Sequence, residues 1–124
     1  MLCMAIELIQ ELGTKSAMLD KAVYRTDVMR LDKAVTQFAV RGRAYAQAEH
    51  DYRVALRKKI LEARADGFPV TIISDICRGD PEIARLRLEK DIALTVYESA
   101  KEAIQSYKLQ IRILDAQIER EWRG

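Results

Sequence analysis

Proline and glycine are scarce in this chain, at two and five in 124 residues. So few turn residues exclude the many short connections of an all-β sandwich or barrel and leave room for long uninterrupted elements. Cysteine is scarcer than a disulfide framework requires: Cys3 lies near the terminus and Cys77 in the middle, which points to a reducing, cytoplasmic setting. His50 is the only histidine, and its helical neighbours Ala46, Arg53 and Val54 offer no metal or triad partner. There is no phosphate-binding Gly loop and no metal-spaced ligand set. The expectation is therefore no enzyme, no cofactor and no small-molecule substrate.

No apolar run approaches the ~18 residues of a membrane span. The opening Met1–Leu12 is apolar, but no positive charge precedes it, and Glu7 and Glu11 interrupt it, unlike a signal peptide. No membrane partner is expected. A formal charge of +2 gives no bulk field for nucleic acid or anionic lipid.

What is present is helix-forming. Apolar residues make up 49% and charged residues 32%, a balance that points to an all-α or coiled-coil chain. From Tyr24 apolar residues recur every seventh position. One row reads Tyr24, Leu31, Phe38, Tyr45, Tyr52, Lys59, and its companion reads Val28, Val35, Gly42, Glu49, Leu56, Ala63. A second seam reads Ile83, Lys90, Tyr97, Ile104, Ile111, Ile118, beside Leu86, Ala93, Ala100, Tyr107, Leu114, Glu121. If the chain reverses near Ile73, Tyr52 faces Ala93, Tyr45 faces Ala100 and Gly42 faces Ile104, so that large side chains meet small ones. Val35 then meets Ile111, Leu31 meets Leu114, and Val28 meets Ile118. Glu49 faces the Tyr97 hydroxyl, and Lys59 and Lys90 send their ammonium groups to water near the turn.

The expected fold is a single all-α domain: a long antiparallel helical hairpin with a short helix in its central turn and a short N-terminal amphipathic helix. Its parts are residues 1–13 (amphipathic), 16–66 (first long helix), 67–80 (turn) and 81–122 (second long helix). In "GFPVTIISDICRGDPEI", Gly67 suits the position just past a helix and Pro69 stops it. Thr71 is placed to cap a short helix over Ile72–Arg78, which Gly79 ends. Asp80 caps the next helix with Pro81 in its first turn. Val70, Ile73 and Ile76 are expected to plug the end of the hairpin.

Sharper readings compete for the same residues. Arg78-Gly79-Asp80 as an adhesion triplet needs a flexible exposed loop, whereas here it reads as stop, glycine and cap. A helix-turn-helix would put Arg85, Arg87 and Lys90 on a recognition helix, but Asp75 falls where a small residue is wanted. Between Arg53 and Lys90 there are nine basic and six acidic side chains. Arg57, Lys58, Arg64, Arg78, Arg85 and Arg87 are the candidate nucleic-acid contacts of this modestly basic turn end. A solvated coiled-coil flank explains them more simply, and only Phe68 offers a ring for base stacking. Binding to DNA as an accessory of phage recombination or replication is the alternative reading, not the favoured one.

The surplus of apolar residues says more. Leu88, Ile92, Val96, Leu109, Ile113 and Trp122 lie outside the second seam, as Ile60 and Leu61 lie outside the first. Leu2, Ile6, Ile9 and Leu12 form a further stripe ahead of Gly13 with nothing in the hairpin to lie on. A two-helix hairpin cannot bury both sets, so Leu2, Ile6, Ile9, Leu88, Ile92, Val96, Leu109, Ile113 and Trp122 are the expected self-association surface. A homo-oligomer, with room for another protein partner, follows.

The stretch "AEHDYRVALRKKILEARADGFPVTIISDICRGD" at Ala48–Asp80, with "YKLQIRILDAQIEREW" at Tyr107–Trp122, resembles small coiled-coil proteins found among phage and prophage genes of Gram-positive bacteria. Its most specific part is the Gly-Phe-Pro-Val-Thr turn followed by a short apolar helix and Gly79. The resemblance implies a phage-accessory role in the cytoplasm of a host cell. It carries over no catalytic or binding residue.

Overall fold

A computed structural model describes the backbone of residues 2–123 and the side chains of residues 3–11 and 18–123. It consists of α1 (Leu2–Ala65), α2 (Val70–Gly79) and α3 (Pro81–Arg123), with no strand among the described residues. The protein is all-α, a hairpin of two long helices with a short helix in its turn. The only prolines, Pro69 and Pro81, stand at the starts of α2 and α3. The expected short amphipathic helix (1–13) and first long helix (16–66) are, over the described residues, one helix, Leu2–Ala65. Met1 and the side chains of Leu2 and Leu12 lie outside the described residues. Pairs one turn apart support the exposed helical faces: Arg53 to Glu49 at 2.8 Å, Gln47 to Asp51 at 2.8 Å, and Arg123 to Glu119 at 3.0 Å.

The chain divides into two compact units, Gln37–Lys101 and Met1–Thr36 with Glu102–Gly124. In the first, the turn-end unit, α1 stops as its sequence dictates. Gly67 adopts φ 81°, its N–H donates to Arg64 O at 3.1 Å, and the Phe68 N–H donates to Ala63 O at 3.2 Å. These two bonds close the last turn of α1 around a left-handed residue that only glycine takes without strain. Thr71 does not cap α2. The helix begins one residue before it, with extended Pro69 at the cap position and no side-chain cap bond. Asp80 does cap α3: its Oδ1 accepts from the N–H groups of Glu82 at 3.1 Å and Ile83 at 3.2 Å.

The core of this unit is Ala63, Ile73 and fully buried Cys77, packed against half-buried Leu56 and Ile60. Two of the three expected plug residues change place. Val70 is 74% exposed and Ile76 half-buried, while Cys77, one turn beyond Ile73, takes the inner position. Ile60, expected outside the seam, joins this core because α2 folds back onto α1.

That fold-back also sets the register, which differs from the expected one. A symmetric reversal about Ile73 would put Asp80 beside Asp66. Instead α2 packs on the last turns of α1 and delivers Asp80 one heptad lower, where Lys59 Nζ meets its Oδ2 at 3.0 Å. Lys59 is therefore paired rather than directed to water. Along α3 the slip persists. Tyr97 stacks on Phe38 (centroids 4.7 Å) and Tyr45 (6.1 Å), and Lys90 Nζ sits 4.7 Å from the Tyr52 ring centroid. The expected pairings Tyr45–Ala100, Tyr52–Ala93 and Glu49–Tyr97 give way to these, and Glu49 binds Arg53.

The second, terminal unit is packed more thinly. Tyr24 and Leu31 on α1 are half-buried, as are Ile104, Tyr107, Ile111, Leu114 and Ile118 on α3. Val28 and Val35, expected in the seam, are exposed, and Asp27 and Ala34 face inward instead. The reason is helical drift: a 3.6-residue helix rotates ~20° per heptad away from a strict seven-residue repeat, so the buried row steps back by one position. Asp27 is 4% exposed, with Arg30 at 3.7 Å one turn on. Among the described residues, the five buried apolar ones (Ala63, Ile73, Cys77, Ile83, Ala100) belong to the turn-end unit.

Candidate interaction surface

The expected self-association residues are uncovered wherever their side chains are described. Within the turn-end unit, Leu88, Ile92 and Val96 succeed each other at four-residue intervals on the outer face of α3, with Leu88 59% exposed. Within the terminal unit, Leu109 and Ile113 repeat the positions of Leu88 and Ile92 three heptads later, and both are exposed. Ile6 and Ile9 are exposed too, together with Met4 and Leu8, which the heptad reading passed over. Leu2 lies outside the described side chains. Trp122 is exposed, and Lys21 Nζ stands 4.1 Å from its ring centroid, a cation–π contact within the terminal unit. Beside it, contact with Asp20 raises the pKa of Glu121, since two carboxyls that share a hydrogen bond favour keeping a proton.

The basic residues separate into two groups. Arg85 binds Glu89 at 2.7 Å and Arg87 lies 4.0 Å from Asp91, so the two arginines of the supposed recognition helix are matched by carboxylates on their own helix. Arg57, Lys58, Arg64 and Arg78 are exposed and form no ion pair among the described residues. Arg64 and Arg78 occupy the last turns of α1 and α2, where positive charge offsets the carbonyl end of the helix dipole.

These two arginines also border a groove of about 320 Å³ between α1 and α2. Tyr52, Leu56 and Ile60 of α1 line it, with Val70, Ile73, Ser74 and Cys77 of α2. That Arg64 and Arg78 line one groove depends on α2 folding back, which the sequence pattern does not reveal. The nearby Lys59–Asp80 pair is electrostatically settled. Lys59 and the backbone N–H groups of Ile83 and Glu82 hold Asp80 below the usual aspartate range, and Asp80 raises Lys59 in turn.

The surface offers apolar contact and fixed charge, and His50 Nδ1 lies 3.3 Å from Asp51 Oδ1. Among the described residues no group of three or more His, Cys, Asp or Glu could hold a metal ion, and no helix is long and apolar enough to cross a membrane. Comparison with protein-family models, curated proteins and solved structures gave no match to this chain.

Proposed function

We propose that the protein is a non-enzymatic helical-hairpin interaction protein that associates with copies of itself and serves as an assembly factor or adaptor. The observation that carries this reading is a deficit of burial. Leu88, Ile92 and Val96 in the turn-end unit, and Leu109 and Ile113 in the terminal unit, are exposed in rows, the kind of surface that water disfavours and a second chain removes. A phage or prophage accessory setting, in the cytoplasm of a host cell, rests on the resemblance of Ala48–Asp80 and Tyr107–Trp122.

Sedimentation equilibrium at micromolar concentration tests the reading. Mass above that of one chain is expected, with loss of the larger species on Leu88→Lys plus Ile92→Lys. A folded monomer at all concentrations overturns it.

A further inference from the structure

The groove between α1 and α2 has a chemical character that the exposed α3 row lacks. Its walls are apolar (Leu56, Ile60, Ile73), and its rim carries the guanidinium groups of Arg64 and Arg78 with no carboxylate partner among the described residues. Such a site favours an apolar ridge edged with negative charge. The first turns of α1 present that combination. Met4 and Leu8 are one turn apart and exposed, with Ile9 beside them. Glu7 and Glu11, also one turn apart, run along one edge of the Met4–Leu8 row, and both are exposed. No basic residue occurs before Lys15, so this ridge is purely acidic. An exposed helix of this kind is marginal in water until something covers it.

We propose that the groove receives the first turns of α1 from a second copy of the chain, with Met4 and Leu8 entering between α1 and α2 while Glu7 and Glu11 meet Arg64 and Arg78. This rests on the self-association reading above and names one pair of surfaces that carries it. The contact is heterologous: each copy gives a ridge and offers a groove, so copies join head to tail and continue until a ring closes or a filament grows.

Charge reversal in the full chain tests the proposal by sedimentation velocity, with circular dichroism to verify helix content. Arg64→Glu plus Arg78→Glu is expected to weaken head-to-tail association by about tenfold or more, and Glu7→Arg plus Glu11→Arg by a similar factor. A one-to-one mixture of the two reversed proteins presents opposite charges at both kinds of junction and is expected to recover the wild-type assemblies. That recovery also separates contact between copies from contact within one. If the reversed proteins associate as the wild type does, the groove is not the interface, although association through other faces stands. If mixing restores nothing, the pairing of these charges is wrong. A wild-type monomer removes the self-association reading and this proposal with it.

Discussion

Tyr97 lies over Gly42, held between Phe38 on one side and Tyr45 on the other. A Cβ built on Gly42 would come within 3.1 Å of Tyr97 Cε2, so the ring occupies the space that any other residue's side chain would fill. Stacking on Phe38 and Tyr45 at 18° and 12° keeps the ring from sliding along α1 to make room. Glycine in a helix interior ordinarily costs about 1 kcal/mol against alanine. Gly42→Ala is therefore expected to forfeit that gain, and Gly42→Leu to destabilise by about 1–3 kcal/mol through overpacking. Gly79 is the contrast, with open space where a Cβ would stand and no positive φ. Gly79→Ala should stabilise by about 0.4–1 kcal/mol. Urea denaturation followed by circular dichroism gives all three values.

Asp80 holds two structures at once, α3 through Oδ1 and the end of α1 through Oδ2. Asn at this position retains the cap and loses the ion pair; Ala loses both. The expected order of thermal midpoints is wild type, Asp80→Asn, Asp80→Ala. Because the folded-state pKa of Asp80 is lowered, its contribution is complete above the ordinary aspartate value and vanishes as pH falls through the lower folded value. The Asn variant should lose less stability than wild type over that acid range.

Glu121 titrates with the opposite sign. Contact with Asp20 raises its folded pKa, so the folded state binds the proton more tightly than the unfolded chain does. The resulting stability is complete below the ordinary glutamate value and is lost as pH rises through the raised one. Glu121→Gln should thus raise the melting midpoint at neutral pH and flatten its change on mild acidification. Melts at closely spaced pH values between the carboxylate range and neutrality measure this.

The terminal unit should open before the turn-end unit. It has no buried apolar residue among those described, and its buried Asp27 leans on an Arg30 that is itself largely exposed. In dilute solution, amide hydrogen exchange is expected to be faster around Tyr24–Leu31 and Tyr107–Ile118 than around Leu56–Ala63 and Lys90–Ala100. Trp122, the single tryptophan, lies in the terminal unit and gives a second measure. Its fluorescence should change at a lower temperature than the far-ultraviolet signal, and coincident transitions would contradict the order.

Heptad rows, scarce Gly and Pro, and the Gly67 and Asp80-Pro81 signals were enough to determine the all-α class, the two long helices, where α1 stops and α3 begins, and the inner face of α3. Every expected seam residue from Ile83 to Ile118 is buried or half-buried. These features are local: periodicity fixes a face, a glycine or a cap fixes an end, and neither depends on what lies across the interface. Which residue meets which across the hairpin was decided only in three dimensions. Two heptad rows match each other at every seven-residue slip, so the sequence permits several registers of similar appearance. The fold-back of α2 onto Leu56, Ile60 and Ala63 selects one by placing Asp80 beside Lys59, and the Tyr97 ring then lies over Gly42, where no side chain stands in its way. The groove between Arg64 and Arg78 follows from that same fold-back. The inward turn of Asp27 has another cause, helical drift: small rotations accumulate along a helix, and no single residue type signals them.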